Sequence, residues 1–286
     1  MPFKRNRVLI SEILNDFENK IDNILTICGW IQSIRKQSDL IFTSLNDGSC
    51  MKSLQIVISN EFLLDNITDI INDLNTGVSL RISGKLIKSP ATGQDVELQA
   101  HNCEILGTVD VDSYPLPKTA LTPEYLRQIP HMRVRRQLFS SIARIRDTAS
   151  FATHSYFRNN NFKNINTPLI TGGDCEGSGE QFTVTTLLND NINDIPHQDG
   201  KIDYSKDFFG KKVGLTVSGQ LHAETYASGL GDIYTFGPTF RAENSNTSRH
   251  LAEFWMLEIE SPFMNLENLM DVSEDYIKSV ISEVLN

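Results

Sequence analysis

Cysteine is scarce: the 286 residues contain four, Cys28, Cys50, Cys103 and Cys175, with no Cys-x-x-Cys pair and no histidine nearby at ligand spacing. A disulfide scaffold and a structural zinc site are excluded, and reduced thiols in a cytosol-like compartment are expected. No apolar run approaches the ~18 residues that cross a bilayer, and MPFKRNRVLISEILNDFENK at the start has neither a long apolar stretch nor a small-residue cleavage site. The expectation is a soluble, unsecreted chain without a membrane partner. Basic residues are outnumbered, 26 Lys and Arg against 36 Asp and Glu, and the net charge of −10 argues against a generic nucleic-acid coat protein. Wholesale disorder is excluded by a 40% apolar, 22% charged composition.

At ~150 residues per domain the length fits about two domains. Charge is unevenly spread along them. Seven arginines and one acid, Asp147, lie between Arg127 and Arg158, whereas Glu253 to Asn286 holds eight acids and one base, Lys278. The basic run fits a phosphate-binding role or a basic helix packed beside an acidic surface.

From Thr26 to Gly107 five short β-rich runs (LTICGWIQSI, LIFTSL, SLQIVIS, VSLRISGKLI, DVELQAHNCEIL) are separated by turn signals such as Asn46-Asp47-Gly48. Leu63, Ile67, Ile70, Ile71 and Leu74 fall on one helical face between the third and fourth runs. Five strands with a helix at that place give the layout of an OB-fold barrel over 1–108, a fold that commonly binds single-stranded nucleic acid. Phe42 offers a stacking ring or a core side chain, and Gln55 an amide for a base edge.

Pro115, Pro117, Pro123 and Pro130 make 109–130 a linker, and a second domain spans 131–286. Leu138, Ile142, Ile145, Ala149, Ala152 and Tyr156 recur at helical spacing. GLTVSGQL, IYTFGP, TFRAE and EFWMLEIE read as strands, with a short helix from Leu221 to Ser228, so this domain is α+β with an antiparallel sheet and flanking helices. In the hairpin, alternation puts Arg241 and Glu243 on one face and Phe254, Met256, Glu258 and Glu260 on one face of the partner strand, with Phe240, Trp255, Leu257 and Ile259 opposite. Arginine, carboxylates and an aromatic ring suit a charged, planar ligand or a salt-bridged face in solvent, not a core. Arg241 would grip a phosphate, Phe254 stack a base, and Arg249 and His250 reach further phosphates.

The stretch FRAENSNTSRHLAEFWMLEIE resembles motif 2 of the class II aminoacyl-tRNA synthetases, specifically the asparaginyl-tRNA synthetase family. The long helix with Asn-Thr-Pro168-Leu-Ile is similar to motif 1, DCEGSGEQFTVTT to the mobile loop over the amino acid, LTVSGQLHAETYASGL to the amino-acid pocket, and KIDYSKDFFGKK to the bacterial and organellar branch. GWIQSIRKQ, FTSLNDGSC, LQIVI and SGKLIKSP resemble the family's anticodon-binding OB-fold. The resemblance covers residues 8 to 262. It implies an enzyme of protein biosynthesis, cytoplasmic or in an organelle, that joins L-asparagine to ATP as an adenylate and passes it to tRNA(Asn), working as a homodimer through motif 1 with Mg²⁺.

Carried over residue by residue, the resemblance implies that Arg241 binds the α-phosphate and, with Glu243 near the adenylate, forms the catalytic pair. Arg249, His250 and Leu251 border the remaining phosphates, Phe254 stacks on adenine and Glu258 helps to hold Mg²⁺. Glu176 and Gln220 receive the ammonium group, Ser218 places the substrate, and Glu224 binds its carboxamide; Glu176 alone reads as an ordinary loop acid. In the barrel Arg35, Phe42 and Gln55 meet the anticodon. An aspartyl-tRNA synthetase is the nearest alternative, but it places a lysine three residues after the glutamine, where Ala223 stands, and Glu224 would repel a carboxylate. The barrel counts against an asparagine synthetase of the same fold; a non-catalytic tRNA-binding fragment remains a second alternative. Motif 3 is expected after residue 286, so the chain reads as C-terminally incomplete and is expected to form adenylate slowly by itself.

Overall fold

The computed structural model describes residues 5–286 apart from 38–39, 63–69, 117–118, 176–180, 189–190, 246 and 248. It divides into two compact units, 1–144 and 145–286.

In the first unit β1 (Ile24–Lys36), β2 (Leu40–Asn46), β3 (Leu54–Ser59), β4 (Ser79–Lys88) and β5 (Val96–Gly107) close a barrel in the order β1-β2-β3-β5-β4. All neighbours are antiparallel except β3 and β5. Alternation sets the inward face: Ile41, Leu45, Ile56, Ile58, Leu80, Ile82, Leu98 and Ala100 are buried in one core. The helix Ile10–Asn15 adds Ile10 and Ile13 to it. Of the helical face expected before β4, Leu74 is buried and Ile70 and Ile71 pack on the core, whereas Leu63 and Ile67 lie outside the described residues. Gly77 needs to be glycine, since its φ is +92° and a Cβ there would come within 2.5 Å of the Tyr114 ring. A short helix, Pro123–Gln128, stands inside the proline-rich stretch, with proline at its first turn and Thr122 Oγ1 accepting from Tyr125 N at 3.3 Å.

The long helix Gln137–Asn159 carries the boundary between the units. Only the second half of its expected apolar stripe is covered: Ala152 and Tyr156 are buried, while Leu138, Ile142 and Ile145 are 47%, 50% and 53% exposed. In the second unit β12 (Ile233–Phe240) pairs antiparallel with β13 (Glu253–Glu260) and parallel with β6 (Lys163–Asn164). A second sheet has the order β7 (Ile170–Thr171), β11 (Val213–Leu215), β8 (Thr183–Val184), and β9 (His197–Gln198) pairs with β10 (Lys201–Ile202). Behind the hairpin, Phe157 stacks on Tyr234 at 4.6 Å between ring centroids and meets Phe162 at 5.2 Å and Tyr276 at 5.3 Å. Tyr276 belongs to the helix Leu266–Leu285, which Asn265 caps by accepting from Asn268 N at 2.9 Å.

Two local expectations change. IYTFGP and TFRAE are one strand and the start of a loop, not two strands: β12 runs unbroken through Pro238, because β6 pairs only with Ile233 and Tyr234 and no ladder bond is lost on that side. Trp255, on the face opposite Phe254, is only half covered: it is 48% exposed, with its ring against Phe236 and the Arg146 guanidinium of the long helix.

Candidate active site

Across the hairpin ladder Thr235 faces Glu258, Gly237 faces Met256 and Thr239 faces Phe254, so these six share one surface of the sheet. Two clusters of polar side chains stand on it, near Phe254 and near Glu258, roughly 13 Å apart along the strand at ~3.3 Å per residue.

The first cluster borders a cleft of about 500 Å³ lined by Arg241, Glu243, Arg249, His250, Leu251 and Phe254, with Phe182 also in its lining. Past the end of β12 the backbone keeps the hairpin register, Arg241 N donating to Ala252 O at 3.1 Å, and this aims Arg241 at the Phe254 ring, 5.6 Å from guanidinium to centroid. Arg241 is 4.0 Å from the Glu243 carboxylate, too long to satisfy it, and its Nε is buried with no hydrogen-bond partner among the described residues. An arginine with a spare buried donor beside an open aromatic face is chemically suited to a phosphate attached to a planar ring. His250 is held by Thr247, whose hydroxyl meets its Nδ1. The six residues of this stretch expected to meet ATP, Glu258 apart, therefore line one cleft.

The second cluster forms where the helix Gln220–Leu230 begins. Gln220 Nε2 donates to Glu224 Oε1 at 3.0 Å, one turn on, and the Cys175 thiol donates to Gln220 Oε1 at 3.5 Å. Ser218 Oγ donates to Glu258 Oε1, and Glu258 Oε2 accepts from Gly219 N at 2.9 Å and Thr235 Oγ1 at 3.1 Å. Burial first, then the charges of Glu224 and Glu258, push the Glu260 carboxyl above its ordinary value. Ala223 is fully buried against Ala227 and Ile233. The cluster is thus rich in acceptors, with the carboxylates of Glu224, Glu258 and Glu260 close together. Glu176 lies outside the described residues.

On the barrel, pairing puts Arg35, Phe42, Ser44, Gln55 and Val57 on one outer surface. Phe42 is half-buried, not a core residue, and the Arg35 guanidinium sits 4.9 Å from its centroid. Gln55 Nε2 donates to Glu97 Oε2 at 3.1 Å, which leaves its carbonyl oxygen and one N–H for another partner.

A family model described as tRNA synthetases class II (D, K and N) matches residues 122–286, and one described as an OB-fold nucleic acid binding domain matches 25–106. The chain belongs to the class II aminoacyl-tRNA synthetases. It is 48% identical over 260 residues to the asparagine–tRNA ligase of Treponema denticola, covering 88% of this chain and 55% of the relative. The asparagine–tRNA ligase of Cytophaga hutchinsonii is 43% identical over 284 residues, with 98% and 59% covered. Among solved structures, asparaginyl-tRNA synthetase from Pyrococcus horikoshii complexed with asparaginyl-adenylate superposes with a TM-score of 0.82 at 22% identity, over 99% of this chain and 59% of that one. The Entamoeba histolytica enzyme in complex with asparaginyl-adenylate gives 0.72 at 25% identity, over 92% and 55%. The chain spans a little over half the length of the relatives it matches.

For a class II synthetase, sequence reasoning missed the contacts that hold the pocket. Nothing local signals that Glu258 meets a turn 40 residues away or that Cys175 reaches Gln220 across 45 residues. Phe182, which lines the same cleft as Arg241, was likewise unmarked. Among the described residues no group of three or more His, Cys, Asp and Glu is arranged to hold a metal ion, and no helix is long and apolar enough to cross a membrane.

Proposed function

We propose that this chain carries the asparagine-activating site of an asparagine–tRNA ligase, with 1–108 as the anticodon-binding barrel, 109–130 as a linker and 131–286 as the catalytic domain. The observation that carries the choice of substrate is the side-chain cluster at Gln220–Glu224. Glu224 stands ready to accept from a carboxamide NH₂, Glu258 and Glu260 add negative charge, and the position that would hold a neutralising lysine is Ala223, packed into the core. Aspartate would bring a second carboxylate into that field, so asparagine is favoured.

In this reading the asparagine carboxylate attacks the α-phosphorus of ATP in line, and pyrophosphate leaves with the electron pair of the broken P–O bond. Arg241 stabilises the charge that develops on the α-phosphate, its unpartnered Nε supplying a donor already desolvated in the cleft. Phe254 stacks on adenine, Arg249 and His250 engage the outer phosphates beside Leu251, and Glu243 faces the adenylate and the tRNA 3′ end. Gln220 Oε1 and Glu176 receive the substrate ammonium, and Ser218 places it. Mg²⁺, which would offset phosphate charge, is not well served by Glu258: both of its oxygens are already taken by protein donors. Arg35, Phe42 and Gln55 meet the anticodon of tRNA(Asn). A second copy of the chain covers Leu138, Ile142 and Ile145, whose exposed apolar line suits an isologous contact.

ATP–pyrophosphate exchange driven by asparagine, read as a ratio to exchange driven by aspartate, tests the reading independently of the absolute rate. Asparagine should dominate. A higher rate with aspartate overturns it.

A further inference from the structure

One carboxylate from β13 fastens the turn that leads into the amino-acid pocket. Glu258 Oε1 accepts from the Ser218 hydroxyl, and Oε2 accepts from Gly219 N at 2.9 Å and Thr235 Oγ1 at 3.1 Å. We propose that Glu258 is a positioning residue that clamps Ser218–Gly219 to the sheet and thereby aims Gln220 and Glu224, and that it is not a ligand of Mg²⁺. The aim of those side chains at asparagine rests on the function proposed above.

Three features support the clamp. The donors around Glu258 form a directed relay: Ser218 Oγ, while donating to Glu258, accepts from Gln220 N at 3.0 Å, and Thr216 Oγ1 donates to Ser218 O at 2.6 Å. Gln220 in turn opens the helix and has both ends of its amide fixed, Nε2 on Glu224 at 3.0 Å and Oε1 under the Cys175 thiol at 3.5 Å. The turn is also closed down on the carboxylate: a Cβ at Gly219 would stand 3.0 Å from Glu258 Oε2 and from Thr167 Oγ1, and 3.2 Å from Thr235 Oγ1. Finally, a negative group at the first N–H of a helix is where the helix dipole favours it.

The same facts disfavour Mg²⁺. The ion requires a near-octahedral oxygen shell at ~2.0–2.1 Å and keeps several waters. Here an N–H and two hydroxyl protons converge on the carboxylate, and a cation would have to displace them and leave Gly219 N unpaired at a helix start.

The test compares the full chain with Glu258→Ala, Glu258→Gln and Thr235→Val. Amide hydrogen exchange over 216–224 should accelerate by about tenfold or more in Glu258→Ala, as expected for loss of charge-assisted bonds, with the barrel strands unchanged. Glu258→Gln, which keeps one acceptor oxygen, should recover part of the protection, and Thr235→Val should lose less than Glu258→Ala. Mn²⁺ binding in the presence of ATP, followed by electron paramagnetic resonance, should stay within about twofold in all three. Affinity for a non-hydrolysable asparaginyl-adenylate analogue should fall further than affinity for ATP alone. A tenfold loss of Mn²⁺ affinity with exchange unchanged would make Glu258 a metal ligand and overturn the proposal, as would unchanged exchange in every variant. If Glu258→Ala does not fold, Thr235→Val and Glu258→Gln still decide through exchange. Should the parent chain ignore the asparaginyl analogue, the asparagine reading fails while the exchange and Mn²⁺ results still judge the clamp.

Discussion

Replacing Phe42 with alanine removes the ring that stands out from β2 beside Arg35, and the expected cost to the proposed anticodon contact follows from what covers that ring. A nucleobase stacked on an aromatic side chain is worth about 1–3 kcal/mol. The Arg35 guanidinium already lies 4.9 Å from the Phe42 centroid, an exposed cation–π contact worth about 0.5–1 kcal/mol. A base arriving on the guanidinium-covered face displaces that contact, so the net loss in Phe42→Ala is about 0.5–2 kcal/mol, roughly 2- to 30-fold in Kd. Arrival on the opposite face keeps the arginine in place and gives the full 1–3 kcal/mol, roughly 5- to 150-fold. Arg35→Ala separates the two: it uncovers the ring, and its loss of one backbone contact should flatten the salt dependence by about 0.7 in log–log slope. Binding of the full chain to an asparagine anticodon stem-loop, by fluorescence anisotropy across a salt series, measures both. Kd changes below twofold in both variants would refute the anticodon assignment of this face.

Phe254→Ala should weaken ATP binding by roughly 5- to 150-fold in calorimetry, because it removes the stacking surface beside Arg241, whereas Phe254→Tyr should bind nearly as well as the parent. Phe157→Ala should cost about 3–5 kcal/mol in chemical denaturation of the second unit, since the ring is fully buried at the centre of the aromatic cluster. Asp207 has its carboxyl held far below the ordinary value by the side chain of Thr185 first and then by the Thr186 N–H and hydroxyl and Phe208 N. A depressed native pKa contributes stability that is complete above about pH 4 and is lost as pH falls through the native value, so exchange protection at Thr186 and Phe208 should fade only in strong acid, and Asp207→Asn should abolish that dependence. Glu224→Gln should narrow the preference for asparagine over aspartate in exchange assays, since it keeps an acceptor and removes the repelling charge.

The barrel was legible because a period-two pattern has one solution: once Ile41 and Leu45 point inward, Phe42 must point out, and the turn at Asn46-Asp47-Gly48 ends the strand. Arg241 and Phe254 come to one face for the same reason, because the hairpin register carries on past the end of β12 to Arg241. What failed was local punctuation overridden by tertiary context. Pro238 looked like a break, but β6 stops short of it and the strand continues. Leu138, Ile142 and Ile145 have the spacing of a buried stripe, yet periodicity cannot say whether the same chain covers them, and here half of the stripe is open. The role of Glu258 was hidden more deeply, because it depends on three donors drawn from a turn and from the opposite strand.

The preference proposed for asparagine rests on Gln220 and Glu224, with Ala223 where a cation would neutralise aspartate. Calorimetric titration of the chain with non-hydrolysable asparaginyl- and aspartyl-adenylate analogues tests it most directly, since the two ligands differ only where the pocket is held to discriminate. A site that pairs its polar groups with one substrate can exclude a near-isostere by up to about 10⁴–10⁵, and the asparaginyl analogue should bind at least about 10²-fold more tightly. Equal affinities, or tighter binding of the aspartyl analogue, would contradict it.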